Sequence, residues 1–179
     1  MRTAVDNLYL YDPQFEAGAK SFLSSVGGSS ATYAIPSFTD LTNALNNFTN
    51  VKLVVFDTHG APGRMWLPDG TYVEGLDFMT INKNISFLAN DARLLFYGCN
   101  IAEGPRGDTF LSEIAKYLLY GKGGTVGGTT VSNISFQIGN FSSEAYMLPL
   151  SFGRLKVKRY SKQASEIGSL TTDRHGFKR

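Results

Sequence analysis

Two uninterrupted apolar runs, LVVF and LLFYG, dominate the pattern of hydrophobic and polar positions along this chain. KLVVF ends at residue 56 and ARLLFYG ends at residue 98, and both lie between more polar segments. Runs of this length, rich in Val, Leu and Phe, are typical of strands that are covered on both faces of a sheet. The pattern therefore predicts two central strands, over residues 52–56 and 92–98.

Helices are predicted between the strands by apolar residues at intervals of three and four. This spacing occurs within residues 37–48 and 106–120, and it places the apolar side chains on one helix face. Pro13 at a first helical position, followed by apolar spacing and then by GGSS, predicts a further helix over residues 13–26. A weaker pattern predicts a helix over residues 76–89.

Shorter β-forming runs and turn signals complete the pattern. A β-hairpin is predicted over residues 64–75, with its turn at Pro68, Asp69 and Gly70. The remaining predicted strands lie at residues 7–12, 31–35, 124–130, 135–139 and 152–160. Because strands alternate with helices, right-handed crossovers connect them, which favours a mainly parallel sheet with helices on both faces.

Length and composition favour one domain of this α/β class. With 179 residues, 42% of them hydrophobic, the chain is long enough to form one substantial core. We expect this domain over residues 1–160 and a basic, flexible tail over residues 161–179. No run of about 18 apolar residues occurs, so no transmembrane helix is expected. The polar N-terminus does not resemble a secretory signal, which favours a cytoplasmic protein or one exported by a non-classical route.

The charge of the chain is unevenly distributed. Residues 1–150 carry 9 Lys and Arg against 13 Asp and Glu, whereas residues 151–179 carry 8 against 2. Within the basic segment, alternation along the predicted strand places Arg154, Lys156 and Lys158 on one face. These cations are a candidate site for an anionic ligand, a membrane surface or a nucleic acid. The alternative is a solvated edge strand that its lysines protect from pairing.

A histidine and a cysteine follow the two central predicted strands. LVVFDTHG ends in His59 and Gly60, and LLFYGCN contains Gly98 and Cys99, the only cysteine in the chain. Parallel strands end at the same edge of a sheet, and ligands bind at that edge. A thiol close to an imidazole base is the arrangement of a nucleophilic cysteine. The alternative is a small buried cysteine and a structural histidine.

The same strand ends offer donors for the oxyanion of a tetrahedral intermediate. The backbone N–H groups of Gly60 and Cys99 are the candidates, because a glycine lets the chain approach a substrate closely. Asp57 could orient the imidazole or cap its strand. A single cysteine excludes an intramolecular disulfide and a zinc site built from several cysteines, and no ligand cluster for a metal is visible.

These motifs resemble those of a known family. LVVFDTHG and LLFYGCN are similar to the paired His-Gly and Cys motifs of the clan CD cysteine peptidases, the caspase-like class. The longer stretch YGCNIAEGPRGDTFLSEIA is similar to bacterial caspase-like domains of large secreted and adhesin-type proteins, and to the self-cleaving protease domains of large bacterial toxins. The resemblance covers residues 50–130. It implies a caspase-like three-layer sandwich, a catalytic dyad of His59 and Cys99, and an oxyanion hole at Gly60 and Cys99.

Substrate and ligand contacts are expected from the same resemblance. Tyr97 occupies the position where relatives carry a specificity residue, so neither of the specificities known for the family can be carried over. The segment after the next strand commonly forms a pocket wall, which makes Thr129, Thr130 and Ser132 candidate substrate contacts. Toxin protease domains bind an inositol phosphate, and this ligand is the favoured candidate for the three cations of the basic strand.

The sequence thus favours a cysteine endopeptidase that acts on a protein or peptide, as a bacterial effector or a toxin-processing protease. No cofactor is required for this chemistry, although an inositol phosphate is a candidate activator. No nucleic-acid partner is expected, and the oligomeric state stays open. The alternative function is a catalytically inactive caspase-like module that binds a partner within a larger protein.

Overall fold

The computed structural model describes residues 2–81, 87–130 and 155–172. The strands in these ranges are β1 (Thr3–Ala4), β2 (Asn7–Tyr11), β3 (Ser30–Ala34), β4 (Phe48–Thr49), β5 (Val51–Asp57), β6 (His59–Ala61), β7 (Arg64–Trp66), β8 (Tyr72–Glu74), β9 (Leu88–Tyr97), β10 (Gly124–Thr129), β11 (Leu155–Tyr160) and β12 (Glu166–Thr172). The helices are α1 (Glu16–Ser25), α2 (Phe38–Asn47), α3 (Phe78–Ile81) and α4 (Gly104–Ile114). Shorter helical turns are the 3₁₀ turns Pro13–Phe15 and Gly75–Asp77 and the π-helical turn Ala115–Leu119.

One large sheet organises this part of the chain. Its seven described strands lie in the order β12-β11-β10-β9-β5-β2-β3. The strands from β10 to β3 are parallel to one another, and β11 and β12 extend the sheet in antiparallel fashion. The two strands predicted from uninterrupted apolar runs, β5 and β9, lie next to each other near the centre of the sheet. Their position explains those runs, because both faces of these strands are covered.

Helices cover both faces of the sheet. On one face, α1 packs through Phe22 against Tyr9 and its neighbours. On the opposite face lie α2, α3 and α4, and the rings of Phe56 and Phe96 stack there at 4.3 Å between centroids. Phe110 of α4 meets Phe96 edge to face. The fold is therefore a mixed α/β structure with a mostly parallel sheet between helical layers, as the alternation of strands and helices predicted.

A small antiparallel sheet follows β5 after a single residue. It consists of β6, β7 and β8, and β7 is the middle strand. Met65 and Val73 point into the main core and are fully buried. The predicted hairpin over residues 64–75 is confirmed as β7 and β8. The first strand of this sheet, β6, was not predicted, and it contains His59 and Gly60.

Two expectations about the elements are corrected by the structure. Of the helix expected over residues 76–89, the described residues form a 3₁₀ turn and the single turn of α3, and residues 82–86 lie outside them. Residues 88 and 89 belong to β9, in which Leu88 pairs with Val51 of β5. The tail expected to be flexible from residue 161 contains β12, which is hydrogen-bonded to β11. The strand predicted at residues 135–139 lies outside the described residues. In the described ranges, no helix combines the length and the apolar character needed to cross a bilayer.

Candidate functional site

The carboxyl ends of three neighbouring strands meet at one edge of the main sheet. In register, Asp57 of β5 lies between Tyr11 of β2 and Tyr97 of β9. His59 and Cys99 each follow two residues after this row, beyond the ends of the adjacent strands β5 and β9. The backbone N–H of Thr58 donates to the carbonyl oxygen of Tyr97 at 3.3 Å and extends the pairing beyond β5. The two candidate catalytic residues therefore leave the sheet side by side.

The backbones of the two strand ends are in direct contact. A Cβ atom placed on Gly60 would lie 3.0 Å from Cα of Gly98 and 3.3 Å from the backbone nitrogen of Cys99. A Cβ atom on Gly98 would in turn lie 3.3 Å from the carbonyl oxygen of His59. Glycine at both positions is what allows this approach, since a side chain on either one would separate the two strand ends. His59 is exposed, and Cys99 is half-buried.

The turn that begins at Cys99 is hydrogen-bonded to β10. Asn100 has a φ of 55°, a left-handed conformation that asparagine adopts more readily than most residues. The hydroxyl of Thr129 donates to the carbonyl oxygen of Gly98. The backbone N–H of Ala102 donates to the carbonyl oxygen of Thr129 at 2.9 Å. These bonds fix the backbone on both sides of Cys99.

Helix α4 and the small sheet also contact this turn. A Cβ atom on Gly107 would lie only 2.1 Å from the carbonyl carbon of Ala102, so the second turn of α4 rests directly on the segment after Cys99. The backbone N–H of Gly63, in the turn between β6 and β7, donates to the carbonyl oxygen of Ile101 at 2.9 Å. This bond joins the small sheet that carries His59 to the turn that carries Cys99.

His59 has two neighbours that sequence reasoning missed. The side-chain amide of Gln14 is in hydrogen-bond contact with Nε2 of His59. The ring of Phe15 meets the imidazole edge to face, with 5.2 Å between centroids. Both residues belong to the 3₁₀ turn that directly follows β2. This turn follows the carboxyl end of β2, and functional sites in parallel sheets lie at the carboxyl ends of the strands. That rule was the signal in the sequence that indicated this turn.

A buried acidic residue lies beneath the site. The carboxylate of Asp57 is fully buried and accepts a hydrogen bond from the hydroxyl of Tyr9 at 2.5 Å. This bond crosses from β5 to β2, so Asp57 is a buried partner in the sheet. Burial of Tyr97, and then the nearby negative charge of Asp57, raises the pKa of the Tyr97 hydroxyl far above its ordinary value.

Two of the four candidate substrate contacts are buried, which differs from the prediction. Tyr97 is 1% exposed and packs in the core on the α1 face of the sheet, so its side chain does not line the surface at Cys99. Thr129 is also buried, and its hydroxyl supports the Gly98 carbonyl instead of facing a substrate. Thr130 is half-buried and directly follows β10. Ser132 lies outside the described residues.

Two lysines of the basic strand form ion pairs within the fold. Nζ of Lys158 lies 2.9 Å from Asp108 of α4 and 3.0 Å from Glu166 of β12, and Nζ of Lys156 lies 3.1 Å from Asp108. Because β11 lies between β10 and β12, these lysines do not protect an exposed edge. The expected open cluster of cations is therefore not what the described residues form. Arg154 lies outside them.

These ion pairs shift the pKa values of their members. Burial by itself would raise the pKa of Asp108, but hydrogen bonds from the two lysines outweigh burial and lower that pKa. For Lys158, burial would lower the pKa, but hydrogen bonds to Asp108 and Glu166 raise it. Among the described residues, no group of three or more His, Cys, Asp or Glu side chains is arranged to hold a metal ion.

Fold and site together define a mixed α/β protein with an imidazole and a thiol at the carboxyl edge of a mostly parallel sheet. A family model described as a domain of unknown function, DUF4347, matches residues 30–120, a range that includes both His59 and Cys99. The chain belongs to this family. No curated protein and no solved structure matches the chain.

Proposed function

We propose that this chain is a cysteine endopeptidase of the caspase-like class, with Cys99 as nucleophile and His59 as general acid and base. The observation that carries the proposal is the contact between the two strand ends, where Gly60 touches Gly98 and the backbone of Cys99. The arrangement supplies a thiol, a proton acceptor and backbone donors at one exposed edge.

The proposed reaction proceeds through a thioester. The thiol proton passes to His59 while the sulfur of Cys99 attacks the carbonyl carbon of the scissile peptide bond. The N–H groups of Gly60 and Cys99 donate to the resulting oxyanion. His59 then protonates the amine as the C–N bond breaks, and the amine departs. Water, deprotonated by His59, hydrolyses the thioester and regenerates the thiol.

The contact with Gln14 determines which ring nitrogen takes part in this proposal. Because Nε2 of His59 faces Gln14, Nδ1 is the nitrogen left for exchange with Cys99 and the leaving amine. A glutamine amide presents either its oxygen or its NH₂ group to a partner. With the oxygen toward Nε2, that nitrogen carries the proton and Nδ1 has the lone pair that a base needs. Gln14 is thus a positioning residue in this mechanism.

A peptide library tests the proposal. Purified wild type, Cys99→Ala and His59→Ala are incubated with a mixture of peptides that covers many sequences, and the products are identified by mass spectrometry. We expect cleavage by the wild type, loss of about 10⁴-fold or more in Cys99→Ala, and loss of about 10²-fold or more in His59→Ala. Equal cleavage by the wild type and Cys99→Ala would exclude Cys99 as the nucleophile.

An inactive binding module is the competing function, and the single cysteine offers a test for it. Because the chain has one cysteine, the mass added to the intact protein by iodoacetamide reports on Cys99 alone. A catalytic thiol reacts at neutral pH in the folded protein, and the reaction slows in His59→Ala. A wild type that cleaves nothing and whose folded thiol is inert at neutral pH would favour the binding module.

Activation by an inositol phosphate remains part of the proposal, with a specific requirement. The anion has to displace Asp108 and Glu166 from Lys156 and Lys158, because these carboxylates already neutralise the two lysines. Inositol hexakisphosphate is therefore expected to raise the melting temperature more in Asp108→Asn than in the wild type. If neither melting temperature nor peptide cleavage changes in either protein, this part of the proposal is wrong.

A further inference from the structure

A row of side chains crosses the outer face of the small sheet, beginning at His59. In the antiparallel register, His59 of β6 lies opposite Trp66 of β7, and Trp66 lies opposite Tyr72 of β8. Residues directly opposite each other in such a pair project from the same face of the sheet. The inner face is occupied by Met65 and Val73, which are fully buried. His59, Trp66 and Tyr72 therefore share the outer face.

This outer face exposes two large aromatic side chains. Trp66 is 41% exposed and Tyr72 is 53% exposed. Their rings meet edge to face at 5.4 Å, and the guanidinium of Arg64 lies 4.9 Å from the centroid of the Tyr72 ring. Contacts among the three side chains hold the aromatic surface in place, so little conformational entropy would be lost when a ligand covers it. We call Arg64, Trp66 and Tyr72 the aromatic platform.

The position of His59 in this row determines which part of a substrate reaches the platform. In the proposed mechanism the acyl part of the substrate stays on Cys99, and the amine that departs takes its proton from His59. The segment that follows the scissile bond therefore extends on the His59 side. The next side chains along the row from His59 are Trp66 and then Tyr72.

We propose that the aromatic platform binds the substrate segment that follows the scissile bond and selects an aromatic or large aliphatic residue there. This inference rests on the proposed peptidase function. Flat, pre-organised aromatic rings favour an apolar side chain as their partner. The one cation of the platform, Arg64, lies opposite Glu74 in the register of β7 and β8, so the platform has a neighbouring carboxylate that offsets this charge. It therefore gives no net charge preference, and its selectivity comes from apolar contact.

Paired substrates test the inference. One series places Phe, Leu, Ser or Asp within the first residues after the scissile bond, in sequences that the wild type cleaves. A second series ends in a fluorogenic amine directly at the scissile bond and has no following segment. The proteins compared are the wild type, Trp66→Ala, Tyr72→Ala and Tyr120→Ala. Tyr120 is a matched control because it is 69% exposed and lies just before β10, at the opposite end of the parallel strands.

The expected result is a selective loss. The wild type prefers Phe or Leu over Ser and Asp, and Trp66→Ala and Tyr72→Ala each reduce kcat/KM for the Phe and Leu substrates by about tenfold. Both variants retain the wild-type rate on the fluorogenic amines, and Tyr120→Ala behaves as the wild type on every substrate. The fluorogenic series is needed because a variant that disturbs His59 or the fold loses activity in both series.

Four outcomes would overturn the inference. A wild type without preference after the scissile bond, or platform variants that keep the preference, would leave the peptidase standing and remove the platform from its specificity. An equal loss in both substrate series would assign Trp66 and Tyr72 to support of His59. A wild type that cleaves neither series would remove the proposed function, and the inference with it.

Discussion

His59 has neighbours from two separate parts of the chain. Its Nε2 meets Gln14, its ring meets Phe15, and across β6 and β7 it lies opposite Trp66. His59 and Cys99 themselves could be selected from the sequence, because each follows an uninterrupted apolar run and each lies beside a glycine. The carboxyl-end rule indicates the turn after β2 but does not single out Gln14 within it, because the contact with His59 spans 45 residues and depends on how β2 pairs with β5.

Gln14→Ala tests the positioning role at the residue scale. If Gln14 orients the imidazole, the variant lowers kcat by about tenfold with little change in KM. Gln14→Glu, which keeps an oxygen acceptor for Nε2–H, restores a large part of the rate. Steady-state kinetics on one good peptide substrate provides both numbers.

The control for this prediction is Gln163→Ala, at an exposed glutamine in the turn between β11 and β12. It is expected to leave kcat and KM unchanged. A Gln14→Ala variant with wild-type kcat, or a Gln14→Glu variant no better than Gln14→Ala, would contradict the positioning role.

At the scale of elements, strands and helices with a continuous or periodic apolar pattern could be predicted, and those without one could not. β6 is a three-residue strand made of His59, Gly60 and Ala61, and nothing in its pattern distinguishes it from a loop. β12 is exposed throughout the part whose burial is described, so it has no apolar face, and its order comes from backbone pairing with β11. A periodic apolar pattern reports burial, so it cannot reveal a strand that is exposed or only three residues long.

Gly107→Ala tests the packing of α4 against the turn after Cys99. The added Cβ would overlap the backbone of Ala102 at 2.1 Å, so the helix or the turn has to move. We expect a loss of about 1–3 kcal/mol in the free energy of unfolding. We also expect a loss of peptide cleavage at temperatures where the variant is still folded, because the displaced turn carries Cys99.

Gly27→Ala is the matched control, since no heavy atom lies within 4 Å of the position of its Cβ. Its melting temperature and activity should equal those of the wild type. A Gly107→Ala protein that is fully active and as stable as the wild type would show that α4 does not determine the geometry of the Cys99 turn.

At the scale of the whole molecule, basic residues of the C-terminal segment form ion pairs with acidic residues from other elements. The sequence predicted a basic C-terminal segment beside a mildly acidic body, but it could not show which carboxylates meet which lysines. In the structure, Asp108 joins α4 to Lys156 and Lys158 of β11, and Glu166 joins β12 to Lys158. The side chains of these lysines are only 17% and 11% exposed. The ion pairs thus attach the antiparallel end of the sheet to a helix that braces the candidate site.

Asp108→Asn tests this connection through the pH dependence of stability. The folded-state pKa of Asp108 is lowered, so its stabilising effect is present above its unfolded pKa of about 3.9 and is lost as the pH falls through its folded-state pKa. The pKa of Lys158 is raised, so its contribution persists below its unfolded pKa and is lost as the pH rises through the folded-state pKa. Because the Asp108 side chain is 44% exposed, solvent screening limits the effect at pH 7 to about 1 kcal/mol.

Chemical unfolding of the wild type and Asp108→Asn between pH 2 and pH 8 provides the measurement. The two stability curves should be separated at neutral pH and converge as the pH falls below about 3.9. Asp69→Asn, at an exposed turn, serves as the control and should follow the wild type more closely. A constant gap between the wild type and Asp108→Asn down to pH 2 would mean that the carboxylate charge is not the source of the stabilisation.

The claim that His59 and Cys99 act as one catalytic unit is tested most directly by a double-mutant cycle. The rate of peptide cleavage is measured for the wild type, His59→Ala, Cys99→Ala and the double variant under the same conditions. Residues that act together are strongly non-additive, so we predict that the double variant cleaves no more slowly than Cys99→Ala alone. Wild-type cleavage by either single variant, or losses that multiply in the double variant, would contradict the account.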